Sequence, residues 1–213
     1  MYFQQVAKQL TDLPLFESGL LYAGADNPQK VQRQLADWVR AGKVIQLRRG
    51  LYTLAAPYRS KPPHSYLIAN QLVQGSYVSL QMALSHYGLI PEHVAVVTSV
   101  TTGRPGKWQN PYGRFSYQHI QPAFFFGFHY RQVTTTQWAY MATPEKALLD
   151  LIYLTPKAES AGYIQELRLQ NLDQLDVDRL CSYVERADNA KLKRALPHIL
   201  RVVEEELTEY EPL

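Results

Sequence analysis

An amphipathic helix is the clearest pattern in the chain, between Asn27 and Gly42. Its apolar residues recur at i, i+4, i+7 and i+8, the spacing of one buried helix face: Val31, Leu35, Trp38 and Val39. Asn27 is a good N-cap, Pro28 suits the first helical position, and Gly42 follows where a left-handed residue commonly ends a helix. The pattern therefore predicts one helix that packs on its apolar side.

The opposite face of this helix is polar and carries several cations. At about 100° per residue, six residues lie on or beside that face: Gln29, Lys30, Arg33, Ala36, Asp37 and Arg40. Any soluble helix has a polar outer face, so this face alone does not predict a function. That prediction depends on the elements around the helix.

A β-hairpin is predicted directly after this helix. Residues 44–47 alternate as a strand does, residues 51–54 form a return strand, and Arg48, Arg49 and Gly50 make a tight turn in which Gly50 can take a positive φ. Two short helices, over residues 2–10 and 14–22, come before a turn at residues 24–26. Helix, helix, turn, helix and hairpin is the order of a winged helix-turn-helix.

In that fold the third helix enters the major groove of DNA, and the tip of the hairpin contacts phosphate or the minor groove. The sequence therefore predicts contacts with double-stranded DNA from one set of residues: Gln29, Lys30, Gln32, Arg33, Arg40, Lys43, Arg48 and Arg49.

Three prolines within residues 55–65 indicate a semi-rigid linker and a domain boundary. We therefore predict a DNA-binding domain over residues 1–60 and a second domain over residues 61–213. Helices are expected at residues 66–72 and after the N-cap Ser79. Strands are expected at residues 94–100, 114–120 and 124–133, and a turn-rich loop at residues 101–111. These strands predict a small antiparallel sheet.

A buried helix should follow this sheet. Thr143 can cap it, Pro144 is its first residue, and its apolar residues lie almost all round the helix axis up to Leu154. Two or three further helices are expected over residues 159–208. The predicted fold class is α+β, with a winged helix-turn-helix followed by a mixed domain in which helices pack on the small sheet.

The distribution of charge supports a polyanionic partner for the N-terminal part. Residues 1–60 hold eight Lys and Arg against four Asp and Glu, a net +4, whereas residues 136–213 hold nine against fourteen, a net −5. The chain contains no run of about 18 apolar residues and no secretory signal at its start, and its single cysteine cannot form an internal disulfide. We expect a cytoplasmic protein without a membrane partner.

Catalytic and metal-binding patterns are not found in the sequence. The six histidines lack metal-ligand spacing, and there is neither a Gly-x-Ser-x-Gly elbow nor a phosphate loop. No pair of carboxylates has the spacing that a metal-dependent nuclease needs. We therefore expect no enzyme activity and no cofactor.

Three motifs, in order along the chain, resemble the AbiE-type antitoxin family, which supplies the antitoxin and repressor of type IV toxin–antitoxin systems. They are Arg-Gly-Leu-Tyr at 49–52, Tyr-Val-Ser-Leu-Gln-Met-Ala-Leu at 77–84 with Tyr-Gly-Leu-Ile at 87–90, and Thr-Pro-Glu-Lys-Ala-Leu-Leu-Asp at 143–150. The resemblance implies a winged helix that binds inverted repeats in its own promoter. It also implies a C-terminal domain that neutralises a nucleotidyltransferase-like toxin, usually without a stable complex.

Two other functions are compatible with the pattern. A ligand-sensing transcription regulator could use the aromatic region at residues 112–130 to line a pocket. A nucleic-acid-processing enzyme is disfavoured because paired carboxylates are missing.

Overall fold

The N-terminal part of the chain folds into a small unit with three helices and a three-stranded antiparallel sheet. The structure is a computed structural model that describes residues 2–23 and 27–209. The elements are α1 (Phe3–Leu10), β1 (Phe16–Glu17), α2 (Ser18–Tyr22), α3 (Pro28–Arg40), β2 (Val44–Arg48) and β3 (Leu51–Leu54). In the sheet β3 lies between β1 and β2. The turn predicted at residues 24–26 lies outside the described residues.

A separate apolar core holds this unit together. The predicted face of α3 is the buried one, since Val31 and Leu35 are buried and Trp38 and Val39 are partly covered. These residues pack against apolar side chains from the other elements of the unit: Val6, Ala7, Leu10, Phe16, Leu21, Val44, Tyr52 and Leu54. The period of 3.6 residues along α3 thus fixes which face remains outside.

The rest of the chain forms a larger α+β body. Its strands are β4 (Ser76–Val78), β5 (Val96–Thr101), β6 (Gly106–Asn110), β7 (Gly113–His119), β8 (Phe128–Thr134) and β9 (Gln137–Ala142). Its helices are α4 (Ser65–Leu72), α5 (Leu80–His86), α6 (Pro144–Leu154), α7 (Ala161–Glu166), α8 (Val177–Ala187) and α9 (Ala190–Glu209), with short 3-10 turns at Pro122–Phe124 and Leu172–Gln174. The α+β class is confirmed.

The prediction of a small antiparallel sheet was wrong. The sheet has six strands in the order β6-β7-β5-β4-β9-β8, and it is mixed because β5 runs parallel to β7 and β4 runs parallel to β9. After β5 the chain forms β6 at the edge of the sheet. It then turns back as β7, which lies between β6 and β5. Since β6 lies in the predicted loop at 101–111, the parallel pair could not be anticipated.

A side chain completes the sheet where β4 is too short to pair with β9. Val78 and Met141 form the one backbone register between these strands. Beyond it, the Asn70 amide of α4 accepts from the Tyr140 backbone N–H at 2.6 Å and donates to its carbonyl at 3.3 Å. Asn70 therefore pairs with both backbone groups of Tyr140 where β4 does not reach them.

Helix α6 lies at the centre of the body, as predicted. Thr143 Oγ1 accepts from the Lys146 backbone N–H at 3.3 Å, Pro144 is the first residue, and every residue from Glu145 to Ile152 is buried. Ser79 stands at the predicted N-cap position of α5, but its hydroxyl does not cap that helix. Among the residues the structure describes, no helix is long and apolar enough to cross a membrane.

The hairpin joins the two parts of the molecule. Leu47 and Leu51 belong to the core of the body, whereas Val44 and Leu54 belong to the core of the N-terminal unit. The two sides of the hairpin therefore face different cores. The proline-rich segment after β3 contacts both parts as well. Ser60 donates to the Thr11 carbonyl in the N-terminal unit, and the His64 backbone N–H donates to the Gln137 side chain in the body.

Candidate nucleic-acid interface

The N-terminus of α3 is fixed by local chemistry that leaves its polar face outside. Asn27 Oδ1 accepts from the Lys30 backbone N–H at 3.1 Å, which satisfies one of the first unpaired donors of the helix. The Phe3 ring of α1 packs edge-on against Trp38, with 5.3 Å between ring centroids. The cap uses a backbone N–H at the end of α3 and the ring contact lies on its packed side, so neither uses the outer side chains.

The outer face of α3 is exposed along its length. Four of the predicted DNA-contacting residues lie on it: Gln29, Lys30, Arg33 and Arg40. Gln32 is exposed as well, but at the edge of this face beside Val39. None of the described acidic side chains lies within ion-pair distance of Lys30 or Arg33. Arg40 pairs with Asp37 at 3.1 Å, but both side chains are mostly exposed, so water and salt screen this pair. The face thus offers planar donor groups that the fold itself does not require.

The structure holds Lys43 less freely than its neighbours on α3. Its ammonium lies 5.0 Å from the centre of the Phe3 ring, and the residue is half-buried. A cation over an aromatic face is stabilised there. Lys43 therefore supports the packing of α1, and its ammonium group is less available to a partner.

The two arginines at the end of the hairpin are held differently. The Arg48 guanidinium turns back towards the body, where it donates to the Gln71 carbonyl at 3.2 Å and to the Arg49 carbonyl at 3.0 Å. It also lies 4.0 Å from a carboxylate oxygen of Glu17. Arg49 is exposed beside Gly50, whose φ of +86° makes the tight turn possible. Of the two, Arg49 is the side chain that points away from the protein.

A second group of polar side chains is buried at the centre of the body. Lys146 donates to Asp150, which also accepts from the Tyr77 hydroxyl at 2.9 Å and from the Ser79 hydroxyl at 2.7 Å. Burial raises the pKa of Asp150, and the Lys146 ammonium and the two hydroxyls oppose that rise. Burial and the nearby Asp150 raise the pKa of Tyr77.

These residues could in principle support nucleophilic chemistry, because a serine beside a lysine is one known activated arrangement. All four are almost completely buried, and no space large enough for water lies beside Lys146 and Asp150. A substrate cannot reach the hydroxyl of Ser79 in this structure. We therefore interpret the cluster as part of the framework that joins α6 to β4.

Glu145 is buried on the same helix and serves the packing of α8. It accepts from the Asp176 backbone N–H at 3.0 Å and faces the guanidinium of Arg179 at 3.6 Å. Within residues 2–23 and 27–209, no three His, Cys, Asp or Glu side chains are grouped so that they could hold a metal ion. No family model matches the chain, and no match to it is found among the curated proteins.

Proposed function

We propose that the chain is a sequence-specific DNA-binding repressor whose N-terminal unit acts as a winged helix-turn-helix. The observation that carries the proposal is the outer face of α3, where Gln29 and Arg33 are exposed and Arg33 makes no ion pair with a described residue. Arginine can make two hydrogen bonds to guanine and glutamine two to adenine in the major groove. The element order and the position of β3 between β1 and β2 support this assignment.

The distribution of charge gives further support. After Asp37 and before Glu145, the chain contains ten Lys and Arg residues but one acidic residue, Glu92, which is a net +9. This stretch begins at the end of α3 and includes the hairpin and the six-stranded sheet. Such an excess attracts a phosphate backbone and accelerates encounter with it.

The resemblance to AbiE-type antitoxins extends the proposal. On that basis the repressor is the antitoxin of a toxin–antitoxin operon, is not an enzyme, and acts in the cytoplasm. It binds inverted repeats in its own promoter. Its functional partner is a nucleotidyltransferase-like toxin, which it counters without a stable complex.

The test is a salt series of binding isotherms on two duplexes, one taken from the promoter upstream of the gene and one with the same composition in scrambled order. Arg33→Ala should weaken promoter binding by about 1–3 kcal/mol and affect the scrambled duplex less, because it removes a base contact. Arg49→Ala should weaken both duplexes similarly and reduce the salt slope by about one unit, because it removes a phosphate contact.

Arg201→Ala is the matched control, since Arg201 is an exposed arginine on α9, which belongs to the acidic part of the chain. It should bind both duplexes as the wild type does. If Arg33→Ala also binds both duplexes as the wild type does, α3 does not read base edges and the proposal fails.

A further inference from the structure

An open groove of about 510 Å³ lies on one face of the sheet, where β5, β6 and β7 are neighbours. The register of these strands places six lining residues in two rows across that face: Lys107, Ser116 and Thr98 in one row, and Gln109, Arg114 and Val96 in the next. We call this surface the basic groove. Its volume lies in the range of sites that hold small molecules.

The two cations of the basic groove are neighbours on the same face. Lys107 is the cross-strand partner of Ser116, which is two residues from Arg114 along β7. Such diagonal neighbours lie about 7–8 Å apart, within reach of long side chains. Neither cation makes an ion pair or a side-chain hydrogen bond with a described residue. Two like charges held this close repel each other, and a bound anion would remove the repulsion.

The elements that form and border the basic groove supply no acidic side chain. Strands β5, β6 and β7 contain neither Asp nor Glu, and the same is true of α5, whose first turn contacts Thr98. The acidic residue nearest in sequence is Glu92, which makes no ion pair with either cation. The Ser116 hydroxyl also lacks a hydrogen-bond partner among the described residues. The groove thus offers an anion two positive charges and one hydroxyl donor.

We propose that the basic groove binds a small ligand that carries two adjacent phosphate groups. Lys107 supplies a point charge to one phosphate, and the planar Arg114 guanidinium makes two parallel hydrogen bonds to the other. The Ser116 hydroxyl donates to an oxygen between them. Two adjacent phosphates suit a diagonal pair of cations better than one phosphate does. The groove has no third charged residue, so a long polyanion would find no further cation along it.

The experiment is a calorimetric titration of the full-length protein with sodium pyrophosphate, at constant ionic strength and without divalent cations. Pyrophosphate should bind roughly tenfold or more tightly than orthophosphate or sulfate, because it gains a second charged contact. Lys107→Gln and Arg114→Gln should each weaken its binding by roughly ten- to a hundredfold, as the loss of a charged hydrogen bond does. Arg114→Lys keeps the charge but loses the planar fork, so its affinity should lie between those of Arg114→Gln and the wild type.

Arg104→Gln is the matched control. Arg104 is an exposed arginine between β5 and β6, close in sequence to Lys107 but outside the lining of the basic groove. This variant should bind pyrophosphate as the wild type does. All four variants should melt within a few degrees of the wild type, because none of the replaced side chains contacts a described residue through an ion pair. If Arg114→Gln does not fold, Lys107→Gln decides the test.

Any of three calorimetric results would overturn the inference. They are an equal loss of affinity in Arg104→Gln and Arg114→Gln, wild-type binding by both groove variants, and sulfate that binds as tightly as pyrophosphate. A fourth would come from the duplexes: if Lys107→Gln weakens their binding, the groove holds the DNA backbone and not a small ligand. Arg33→Ala should leave pyrophosphate binding unchanged. A failure of this inference is therefore distinct from a failure of the proposed function.

Discussion

Helices α3 and α6 begin in the same way and then use their charged residues in opposite ways. Each has a capping side chain followed by proline: Asn27 and Pro28 in α3, Thr143 and Pro144 in α6. In α3 the charged side chains face outwards. In α6 the charged residues Glu145, Lys146 and Asp150 are all buried. Glu145 accepts from the Asp176 backbone N–H, whereas Lys146 and Asp150 pair with each other within the helix. Charged residues are thus part of the packed interior in α6, whereas in α3 they lie on the solvent-exposed surface.

The difference shows where function can be sought. The charges of α6 are needed by the fold, because a buried charge that loses its partner lowers the free energy of unfolding by several kcal/mol. The cations at the start of α3 make no ion pair with a described residue, so their removal should cost the fold little. Side chains that the fold does not need are the ones available for a partner. The predictions below test this contrast, from the largest expected effect to the smallest.

Asp150→Ala should have the largest effect on stability. It leaves the Lys146 ammonium buried and removes the acceptor of the Tyr77 and Ser79 hydroxyls. Breaking one side of a buried ion pair costs about 3–5 kcal/mol, and urea unfolding would measure this loss. Arg33→Ala on α3 should change the free energy of unfolding by less than about 0.5 kcal/mol.

The double variant Lys146→Met with Asp150→Leu sharpens this test. It should recover part of the loss, because no buried charge remains, although two hydroxyls still lack their acceptor. The contrast between the helices is wrong if Asp150→Ala and Arg33→Ala destabilise the protein equally.

Substitutions on the apolar faces of the two helices should destabilise the protein by similar amounts. Leu35 on α3 and Leu148 on α6 are both almost completely buried, in different cores. Leu35→Ala and Leu148→Ala should each cost about 2–5 kcal/mol through lost burial and the cavity left behind. Because Leu47 and Leu51 tie the hairpin to the body, we expect circular dichroism and tryptophan fluorescence to show one coincident transition in each variant.

Two outcomes would contradict this prediction. A loss below about 0.5 kcal/mol in either variant would mean that the replaced leucine does not lie in a packed core. Two separate transitions would mean that the two parts unfold independently in spite of the hairpin.

Sequence reasoning succeeded where the signal is local. The caps at Asn27 and Thr143 and the buried stripe of α3 depend on residues within a few positions, and all are confirmed. Strand β4 was missed because three residues give no usable period. Strand β6 was missed because Pro105 and the neighbouring glycines favour turns, and only pairing with β7 makes the segment a strand.

The candidate sites show the same limit. The exposure of Gln29 and Arg33 follows from helical period, so the sequence could predict it. The inward turn of Arg48 depends on Gln71, which is 23 residues away. The grouping of the exposed rings of Tyr130, Trp138 and Tyr140 depends on the pairing of β8 with β9, although the alternation of aromatic residues with Ala139 along β9 was a readable signal.

The hairpin arginines give the same contrast on a smaller scale. Arg48→Ala should lower the free energy of unfolding by about 1–2 kcal/mol, because the Gln71 carbonyl loses a charged donor at a partly exposed position. Arg49→Ala should change it by less than about 0.5 kcal/mol. Thermal and urea unfolding of the two variants would measure the difference, and equal effects would show that Arg48 is as free as Arg49.

The smallest expected effect concerns His64 at the start of α4. Its Nδ1 accepts from the Tyr66 backbone N–H at 3.2 Å and so caps the helix, and its ring packs edge-on against Tyr66. Burial lowers the pKa of His64 below its ordinary value of 6.5, because a half-buried imidazolium loses solvation. Protonation would also remove the acceptor that caps α4.

The sign of the pH effect follows from this shift. Below the ordinary value of 6.5 the unfolded chain binds a proton that the folded protein resists, so stability is full above that value and falls as the pH drops towards the lowered pKa. His64→Asn retains a capping acceptor without a titrating ring. Urea unfolding between about pH 5 and 8, the range in which histidine titrates, should therefore show a weaker loss of stability on acidification in this variant.

His86 is the necessary comparison, because burial, Arg131 and His64 also lower its pKa, and its contribution has the same sign. His86→Asn should remove a separate part of the slope, and the double variant should remove more than either single change. If His64→Asn leaves the slope unchanged while His86→Asn abolishes it, the cap of α4 does not depend on the neutral form of His64.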